Sequence, residues 1–186
     1  MANERLQKLR AQMEQHGMDA YYIPSSDFHD SEDVEAYFGC RAFISGFTGS
    51  AGSMVVTKDF SGLWTDGRYF VQAKKQLKGQ DTELMQMGNE GVPTIFEFLE
   101  EHLPEGGTLG MDGRVVNTEA GRAFMKILEK KHASVSVQYD LVGEIWSERP
   151  KLTVPRVWVL GTEYTGEDAK SKIGRLRKEM DACGAS

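Results

Sequence analysis

Residues 53–70 read Ser-Met-Val-Val-Thr-Lys-Asp-Phe-Ser-Gly-Leu-Trp-Thr-Asp-Gly-Arg-Tyr-Phe, and this stretch decides the fold. Two short runs of strand-forming residues, 53–57 and 62–65, flank a brief link, which predicts a β-hairpin. Asp66 follows directly, and an aspartate at this place is typical of a helix cap. A hairpin that runs straight into a helix indicates a layered α/β domain whose sheet contains antiparallel strands.

Helices and strands alternate on both sides of this hairpin. Upstream, a helix over Asn3–His16 precedes a short strand over Asp19–Ile23. Downstream, Thr94 and Glu97 form a capping box that opens one helix, and Asn117 begins another. Further strands are predicted over 82–87, 109–111 and 133–139. The alternation predicts an α/β fold with a mixed β-sheet flanked by helices.

Length and charge restrict the class of protein. A chain of 186 residues favours one domain with an appendage, and a hydrophobic share of 40% is enough for a sizeable core. Acidic residues outnumber basic ones, 28 to 22, and the formal net charge is −6. This balance argues against nucleic acid as a partner, because a polyanion requires a basic surface.

Membrane and secretion signals are not found in the sequence. Apolar runs such as Val157–Leu160 are far shorter than the roughly 20 residues that span a bilayer. Residues 1–10 carry charges and no apolar core of a secretory signal. Cys40 and Cys183 lack metal-binding spacing, which favours free thiols in a reducing compartment. We therefore expect no membrane partner and a cytoplasmic location.

The composition changes near residue 150. Residues 148–155 combine two prolines with clustered charges, which is typical of a linker. Beyond it the sequence aligns with the first helix at an offset of 167 residues, pairing Leu9 with Leu176, Arg10 with Arg177, Met13 with Met180 and Gly17 with Gly184. Chance similarity between amphipathic helices is one explanation, and a duplicated domain is the other. We predict a first domain over 1–150 and, over 151–186, a linker and the first helix of a truncated second, related domain.

The four histidines are scattered and none has a second metal ligand at a suitable spacing, so the sequence predicts no metal site. His29 is the best candidate for a functional histidine, because it lies in the polar loop 25–33 after a predicted strand. The alternative is a solvated acidic loop that caps the following helix.

Glycines at 46, 49 and 52 occupy a segment that superficially suggests two motifs. A nucleophile elbow requires glycine two residues before the serine, where this chain has Thr48. A phosphate-binding loop requires a different glycine spacing and, in the Walker form, a lysine. The segment therefore predicts a turn whose backbone packs closely against a neighbour.

Arg68 is the most informative charged residue. If Asp66 caps a helix, Arg68 lies in its first turn, where the helix dipole disfavours a cation. Such an arginine implies an anionic or carbonyl partner. A surface pair with Asp66 would satisfy it equally well, and both explanations remain open.

Three ordered motifs carry a family resemblance. They are Tyr-Tyr-Ile-Pro-Ser-Ser-Asp-Phe-His-Asp-Ser-Glu at 21–32, Arg-Ala-Phe-Ile-Ser-Gly-Phe-Thr-Gly-Ser-Ala-Gly at 41–52 and Leu-Trp-Thr-Asp-Gly-Arg-Tyr-Phe-Val-Gln-Ala at 63–73. Together they closely resemble the N-terminal region of Xaa-Pro aminopeptidases, in the creatinase, prolidase and aminopeptidase P family. The resemblance continues through 141–150 and so covers nearly the whole chain.

The resemblance implies a division of labour. Long members of this family carry two related N-terminal α/β domains before a metallopeptidase domain that holds the catalytic residues and two divalent metal ions, expected to be manganese. It therefore implies no catalytic residue, metal ligand or cofactor in this chain. Arg68, in the Trp-Thr-Asp-Gly-Arg-Tyr motif, is expected to hold the peptide substrate, and His29 is a second substrate-binding candidate.

The resulting hypothesis is the N-terminal substrate-recognition and lid domain of a proline-specific aminopeptidase, which removes the first residue from Xaa-Pro peptides. Its expected partners are peptides with proline at the second position and the catalytic domain of the same polypeptide, and a homodimer stays open. The chain alone is expected to be inactive. Two alternatives remain, a non-catalytic assembly or binding module and a creatinase- or prolidase-like relative.

Overall fold

The computed structural model describes residues 2–185, which form two compact units, one ending at Leu152 and one beginning at Thr153. The elements of the first unit are α1 (Ala2–Gln15), β1 (Ala20–Ile23), α2 (Cys40–Ser45), β2 (Ser53–Thr57), β3 (Ser61–Thr65), α3 (Phe70–Gln76), β4 (Glu83–Gln86), α4 (Ile95–His102), β5 (Thr108–Met111), α5 (Thr118–Lys130), β6 (Ser134–Ser136) and α6 (Leu141–Ile145). Single 3₁₀ turns lie at Ala36–Phe38 and Gly113–Val115.

Within the described residues these strands form one mixed sheet in the order β4-β3-β2-β1-β5-β6. Strand β2 is antiparallel to β1 and β3, and the other three pairs, β3–β4, β1–β5 and β5–β6, are parallel. The hairpin predicted at 53–65 is β2–β3, with Ser53 opposite Trp64. The predicted α/β class with a mixed sheet is therefore confirmed.

Helices cover both faces of the sheet. In β1, Tyr21 and Ile23 join the cluster beneath α1, α2 and α6, whereas Ala20 and Tyr22 pack on the side of α4 and α5. This alternation follows from the period of two in a strand, which sends successive side chains to opposite faces. The sheet thus contributes to apolar packing on both of its faces, which is why its central strands are apolar on both sides.

Two of the predicted helix starts are confirmed by their caps. Thr94 Oγ1 accepts a hydrogen bond from the backbone of Glu97, whose carboxylate accepts one from the backbone of Thr94. The side chain of Asn117 accepts a hydrogen bond from the backbone N–H of Ala120 at 2.8 Å. Both local signals fix the helix boundary, because each satisfies an otherwise unpaired N–H group.

The predicted cap at Asp66 is wrong. Helix α3 begins at Phe70, and Tyr69 stands at its N-cap without a side-chain cap. Asp66 instead accepts a hydrogen bond from the backbone N–H of Arg68 at 3.0 Å, which forms a tight turn before the helix. Because Arg68 precedes the helix, the argument from the helix dipole does not apply to it.

Strand β6 is shorter than the predicted strand over 133–139. Its regular pairing ends at Ser136, and Gln138 forms an isolated antiparallel bridge with Asp112. Val137 O accepts a hydrogen bond from Gly113 N at 3.1 Å. The alternation of the sequence continues past Ser136, but the parallel pairing of β6 with β5 ends with Ser136 opposite Gly110.

Arg41 in α2 is a buried cation, with 6% of its surface exposed. Its Nε donates to Ser25 Oγ at 2.6 Å, and its terminal nitrogens donate to the carbonyls of Phe47, at 3.0 Å, and Gly49. Ser25 Oγ in turn donates to Gly52 O at 2.6 Å. The guanidinium therefore joins the loop after β1 to the loop 46–52, and we call this set of contacts the Arg41 clamp.

Carbonyl and hydroxyl oxygens hold this cation; no acidic side chain among the described residues forms an ion pair with it. Burial lowers the pKa of Arg41 to about 10, because the charged form loses hydration. The group nevertheless stays charged at neutral pH, and backbone dipoles replace the lost water.

The second unit contains α7 (Thr162–Thr165) and α8 (Ala169–Ala182). Asp168 caps α8 by accepting a hydrogen bond from the N–H of Ser171 at 3.0 Å. Ile173 and Leu176 are 48% and 60% exposed, so no element described within this unit covers that apolar face. The unit therefore has too little apolar burial to form a core of its own.

We expect Arg41→Ala to lower the free energy of unfolding by roughly 3 kcal/mol, measured by urea denaturation. Each buried polar group that loses its partner costs about 1 to 3 kcal/mol, and this change leaves two carbonyls and Ser25 without their donor. Arg41→Lys should restore only part of the loss, because an ammonium lacks the planar fork.

Arg5→Ala is the matched control for the clamp. The exposed Arg5 side chain also donates to a carbonyl, that of Phe43 at 2.8 Å. Its guanidinium also lies 4.2 Å from the centre of the Phe43 ring, and these two exposed contacts together should contribute about 1 kcal/mol. Equal losses from Arg5→Ala and Arg41→Ala would contradict the role assigned to burial.

Candidate functional site

Three loops meet at one end of the sheet. Because β2 is antiparallel to both neighbours, β1 and β3 run in the same direction and end where β2 begins. The loops after β1 and β3 and the loop 46–52 before β2 therefore share that end. They enclose an open cleft of about 390 Å³, whose polar lining includes Ser25, Glu32, Ser50, Asp66 and Arg68.

Two glycines shape the loop 46–52. A Cβ atom at Gly49 would lie 2.7 Å from the Tyr69 ring and would also strike Phe47. A Cβ atom at Gly52, whose φ is +150°, would lie 2.9 Å from Trp64 O. The predicted close packing of this backbone is confirmed at both positions, because only glycine fits without displacing its neighbours.

Arg68 forms a bidentate pair with Asp66. Its Nε and one terminal nitrogen donate to the two carboxylate oxygens, each at 2.8 Å. The Arg68 side chain is nevertheless 71% exposed, and its guanidinium lies 5.4 Å from the centre of the Tyr69 ring. The surface pair that the sequence left open is thus present in the structure.

The pair perturbs both titrating groups. Hydrogen bonds from Arg68 lower the pKa of Asp66 to about 2, because they favour the ionised carboxylate. The same contact raises the pKa of Arg68. Since both groups are exposed, the pair contributes little to stability, and its main consequence is a fixed orientation of the guanidinium.

The pair with Asp66 leaves some hydrogen-bond donors of Arg68 unused. A guanidinium has five N–H groups, and the bidentate contact uses two of them. The other three have no hydrogen-bond partner among residues 2–185. Arg68 can therefore pair with Asp66 and donate to a ligand at the same time.

His29 lies apart from this arrangement. Its backbone N–H donates to the Asp27 carboxylate at 2.8 Å, as does that of Ser31 at 3.0 Å, and its side chain is exposed. Ser31 and Glu32 line the cleft with Arg68. The structure thus brings Arg68 and the following part of this loop together, while Asp27 organises the turn that carries His29.

Sequence reasoning missed several residues around the cleft. In the sequence Arg41 stands out only as the first residue of the motif at 41–52. Its burial depends on contacts with Ser25, Phe47 and Gly49, and no local sequence pattern predicts these contacts. The hydroxyl of Tyr69 lies 2.6 Å from Ser50 Oγ. Gln76 in α3 accepts a hydrogen bond from the backbone N–H of Thr48 at 3.0 Å. These contacts hold the loop 46–52 from the side opposite to the Arg41 clamp.

A second polar cluster supports the neighbouring strands. Asp140 caps α6 through the N–H of Gly143 and pairs with Arg149 at 2.5 Å and with Arg114 at 3.1 Å. Arg149 also donates to Tyr37 O at 2.7 Å. Both charges of the Asp140–Arg149 pair are largely buried, so this cluster ties the 141–150 motif to the loop that precedes α2.

Within the described part of the chain, no group of three or more His, Cys, Asp or Glu side chains is arranged to hold a metal ion. No helix among those residues is long and apolar enough to cross a bilayer.

Comparisons with known proteins show which family the chain resembles. The Creatinase/Prolidase N-terminal domain matches residues 5–142. Aminopeptidase P2 from Arabidopsis thaliana is 41% identical over 191 residues, which cover 100% of this chain and 27% of the relative. A probable Xaa-Pro aminopeptidase P from Penicillium rubens is 40% identical and covers 97% of this chain and 30% of the relative.

Solved structures of two related proteins share the fold of this chain. An X-prolyl aminopeptidase from Caenorhabditis elegans, described as a cytosolic enzyme with a di-nuclear active site, has a TM-score of 0.85 and 35% identity. The match covers 99% of this chain and 32% of that one. The N-terminal domain of the cytoplasmic peptidase PepQ from Mycobacterium tuberculosis has a TM-score of 0.55 and 28% identity, over 77% of this chain and 98% of that one.

The chain thus spans about a third or less of the full-length relatives that it matches. The shared part is their N-terminal part, and it contains the mixed sheet and the cleft around Arg68. This chain belongs to the creatinase/prolidase N-terminal domain family and corresponds to the N-terminal part of Xaa-Pro aminopeptidases.

Proposed function

We propose that this chain is the substrate-recognition and lid domain of a proline-specific aminopeptidase, which removes the first residue from Xaa-Pro peptides. The observation that carries the proposal is the cleft at the end of the sheet, where Arg68 is exposed, oriented by Asp66 and left with three N–H donors. The full-length relatives supply the activity, since they are named as Xaa-Pro aminopeptidases.

In this proposal Arg68 donates to the bound peptide through its planar guanidinium. Peptide carbonyls are its natural acceptors, because Asp66 already neutralises much of its charge. The Arg41 clamp and Gly49 fix the loop that borders the cleft, so the donors are positioned before the peptide arrives. His29, which lies two residues before Ser31 of the cleft lining, is proposed as a second contact to the peptide.

In this proposal the residues that hydrolyse the peptide bond belong to another domain, outside these 186 residues. The described residues offer no donor set that fits a metal ion. A catalytic domain of the same polypeptide would hold two divalent ions, with manganese as the proposed metal, in keeping with the di-nuclear site of the relative from Caenorhabditis elegans. A cytoplasmic location is proposed on the same similarity.

A non-catalytic assembly module is the second candidate. The observation that favours it is the Asp66–Arg68 pair, which gives Arg68 a partner without any substrate. In that case Arg68 would have no part in turnover. Kinetics of Arg68 variants therefore distinguish the two functions.

The segment after the linker is proposed as the beginning of a second, related domain. The 167-residue offset relates α8 to α1, and both helices end next to a glycine of positive φ, Gly184 and Gly17. Under this proposal the exposed Ile173 and Leu176 belong to the face that would cover a second sheet.

In the full-length enzyme, Arg68→Ala should reduce kcat/KM on an Xaa-Pro tripeptide by about tenfold to a hundredfold. A lost charge-assisted hydrogen bond contributes on the order of 1.5 to 3 kcal/mol, which corresponds to that change. Arg68→Lys should recover little, because lysine lacks the fork. Arg5→Ala, which removes an exposed arginine that does not line the cleft, should leave kcat/KM unchanged. Unchanged kinetics with a lowered melting temperature for Arg68→Ala would assign Arg68 to structure.

The isolated 186-residue chain should release no residue from an Xaa-Pro tripeptide, with or without added Mn²⁺. It lacks, within the described residues, the ligand set that metal-dependent hydrolysis requires. Amino-acid release is the measurement. Metal-dependent turnover by the purified chain would refute the assignment of catalysis to another domain.

A chain ended after Leu152 should unfold within about 0.5 kcal/mol of the intact chain, because the first unit contains its own core. Urea denaturation of both chains makes the comparison. A loss of several kcal/mol would show that the first domain extends past the proposed boundary.

A further inference from the structure

An apolar pocket of about 230 Å³ opens beside the cleft around Arg68. Its lining includes Trp64, Met87, Val92, Pro93, Ile95 and Phe96. Three of these residues, Trp64, Met87 and Ile95, also line the cleft. The pocket and the cleft are therefore continuous.

The sheet topology places the pocket at the same end of the sheet as the cleft. Strand β4 is parallel to β3, so both strands end there. The N–H of Met87, directly after β4, donates to Thr65 O at 3.0 Å, one residue before Asp66. The loop 87–94 thus lies with the three loops already described, and Met87 borders both the pocket and the cleft that contains Arg68.

The walls of the pocket are fixed by contacts with the core under α4. Trp64 is buried, and its indole N–H donates to Pro93 O at 2.8 Å. The Phe96 ring lies 5.0 Å from the ring of Phe124, a core residue of α5. Because these contacts do not involve a ligand, the pocket is formed before any ligand enters it.

The polar side-chain groups around the pocket are paired within the chain. The N–H of Trp64 is bound to Pro93 O, and the Thr94 hydroxyl is bonded to Glu97 in the capping box of α4. A polar ligand group would lose its water here without gaining these partners, whereas an apolar group gains free energy by leaving water. The lining therefore selects an apolar ligand.

The volume of the pocket fits one side chain. A cavity of about 150 Å³ lined by aliphatic and aromatic residues holds a benzene molecule. The larger pocket here therefore accommodates a leucine or phenylalanine side chain. Met87 is 51% exposed, and its flexible thioether can adapt to side chains of different shape. A docked protein element would need much more surface, since stable protein interfaces bury about 1,200 Å² or more.

We propose that this pocket binds an apolar side chain of the peptide substrate, at a residue that follows the proline. The inference rests on the proposed function. In a peptide that is cleaved between its first residue and proline, these two residues flank the bond that the catalytic domain holds. The part of the peptide that is free to reach the pocket is therefore the part after proline. The pocket thus adds a preference for leucine, phenylalanine or similar residues to the requirement for proline.

Peptides that differ after the proline test the pocket in the full-length enzyme. The substrates are the tetrapeptide amides Ala-Pro-Gly-Gly, Ala-Pro-Leu-Gly and Ala-Pro-Gly-Leu. One of the two leucine peptides should have a kcat/KM about tenfold to a hundredfold above that of the glycine peptide, because it buries a leucine side chain. Replacing that leucine by asparagine, which has a similar shape but is polar, should remove the gain.

Met87→Asp should bring the ratio of kcat/KM for the preferred leucine peptide and the glycine peptide close to one, because a carboxylate at the pocket disfavours an apolar side chain. Met87→Leu keeps an apolar wall and should retain the preference. Met125→Asp is the matched control, because Met125 is likewise an exposed methionine, at 63%, and lies on α5 outside the pocket and the cleft. It should leave the ratio unchanged.

Two results would overturn the proposal directly. One is a leucine preference that survives Met87→Asp, and the other is an unaltered enzyme with no preference among the three peptides. A Met87→Asp enzyme that melts at a lower temperature and loses kcat/KM equally on all three peptides would also overturn it, because another domain would then cover the pocket. The proposed function fails by a different result, an unchanged kcat/KM on every peptide in Arg68→Ala.

Discussion

The candidate site depends on the burial of one guanidinium that has no acidic partner among residues 2–185. Arg41 is held by the Ser25 hydroxyl and by two carbonyls of the loop 46–52, and these bonds are the replacement for its hydration. A loop rich in glycine would otherwise sample many conformations, since glycine restricts the backbone least. The bonds from Arg41 thus hold the loop 46–52 in one conformation. Because β2 is antiparallel to β1 and β3, this loop lies beside Arg68 at the end of the sheet.

Much of the fold could be predicted from local sequence. The hairpin at 53–65 and the box formed by Thr94 and Glu97 depend on neighbours within a few residues, and both occur as predicted. Helix α2 was not predicted, because six residues are too few to show a helical period. The end of β6 at Ser136 also escaped prediction, since it depends on how far the pairing with β5 extends and not on the sequence of β6 itself.

The site was less predictable than the fold. Arg68 was identified as a candidate, but the helix argument that singled it out fails, because Asp66 closes a turn instead of capping α3. The pair with Asp66 depends on side-chain geometry that spacing alone does not fix. Arg41 carries no local signal at all, since its partners lie 6 to 16 residues away along the chain. His29 follows the expected loop, yet the turn presents Ser31 and Glu32 to the cleft.

The Asp66–Arg68 pair also sets the range over which the cleft can attract a ligand. An arginine and an aspartate in bidentate contact have no net charge, and Glu32 adds a negative charge nearby. Such a site exerts no long-range pull on anions, so the diffusion of an anionic ligand toward it is not accelerated. What the cleft offers is a set of directed N–H groups that act only at contact distance. That favours neutral dipoles, such as peptide carbonyls, over phosphates or free carboxylates.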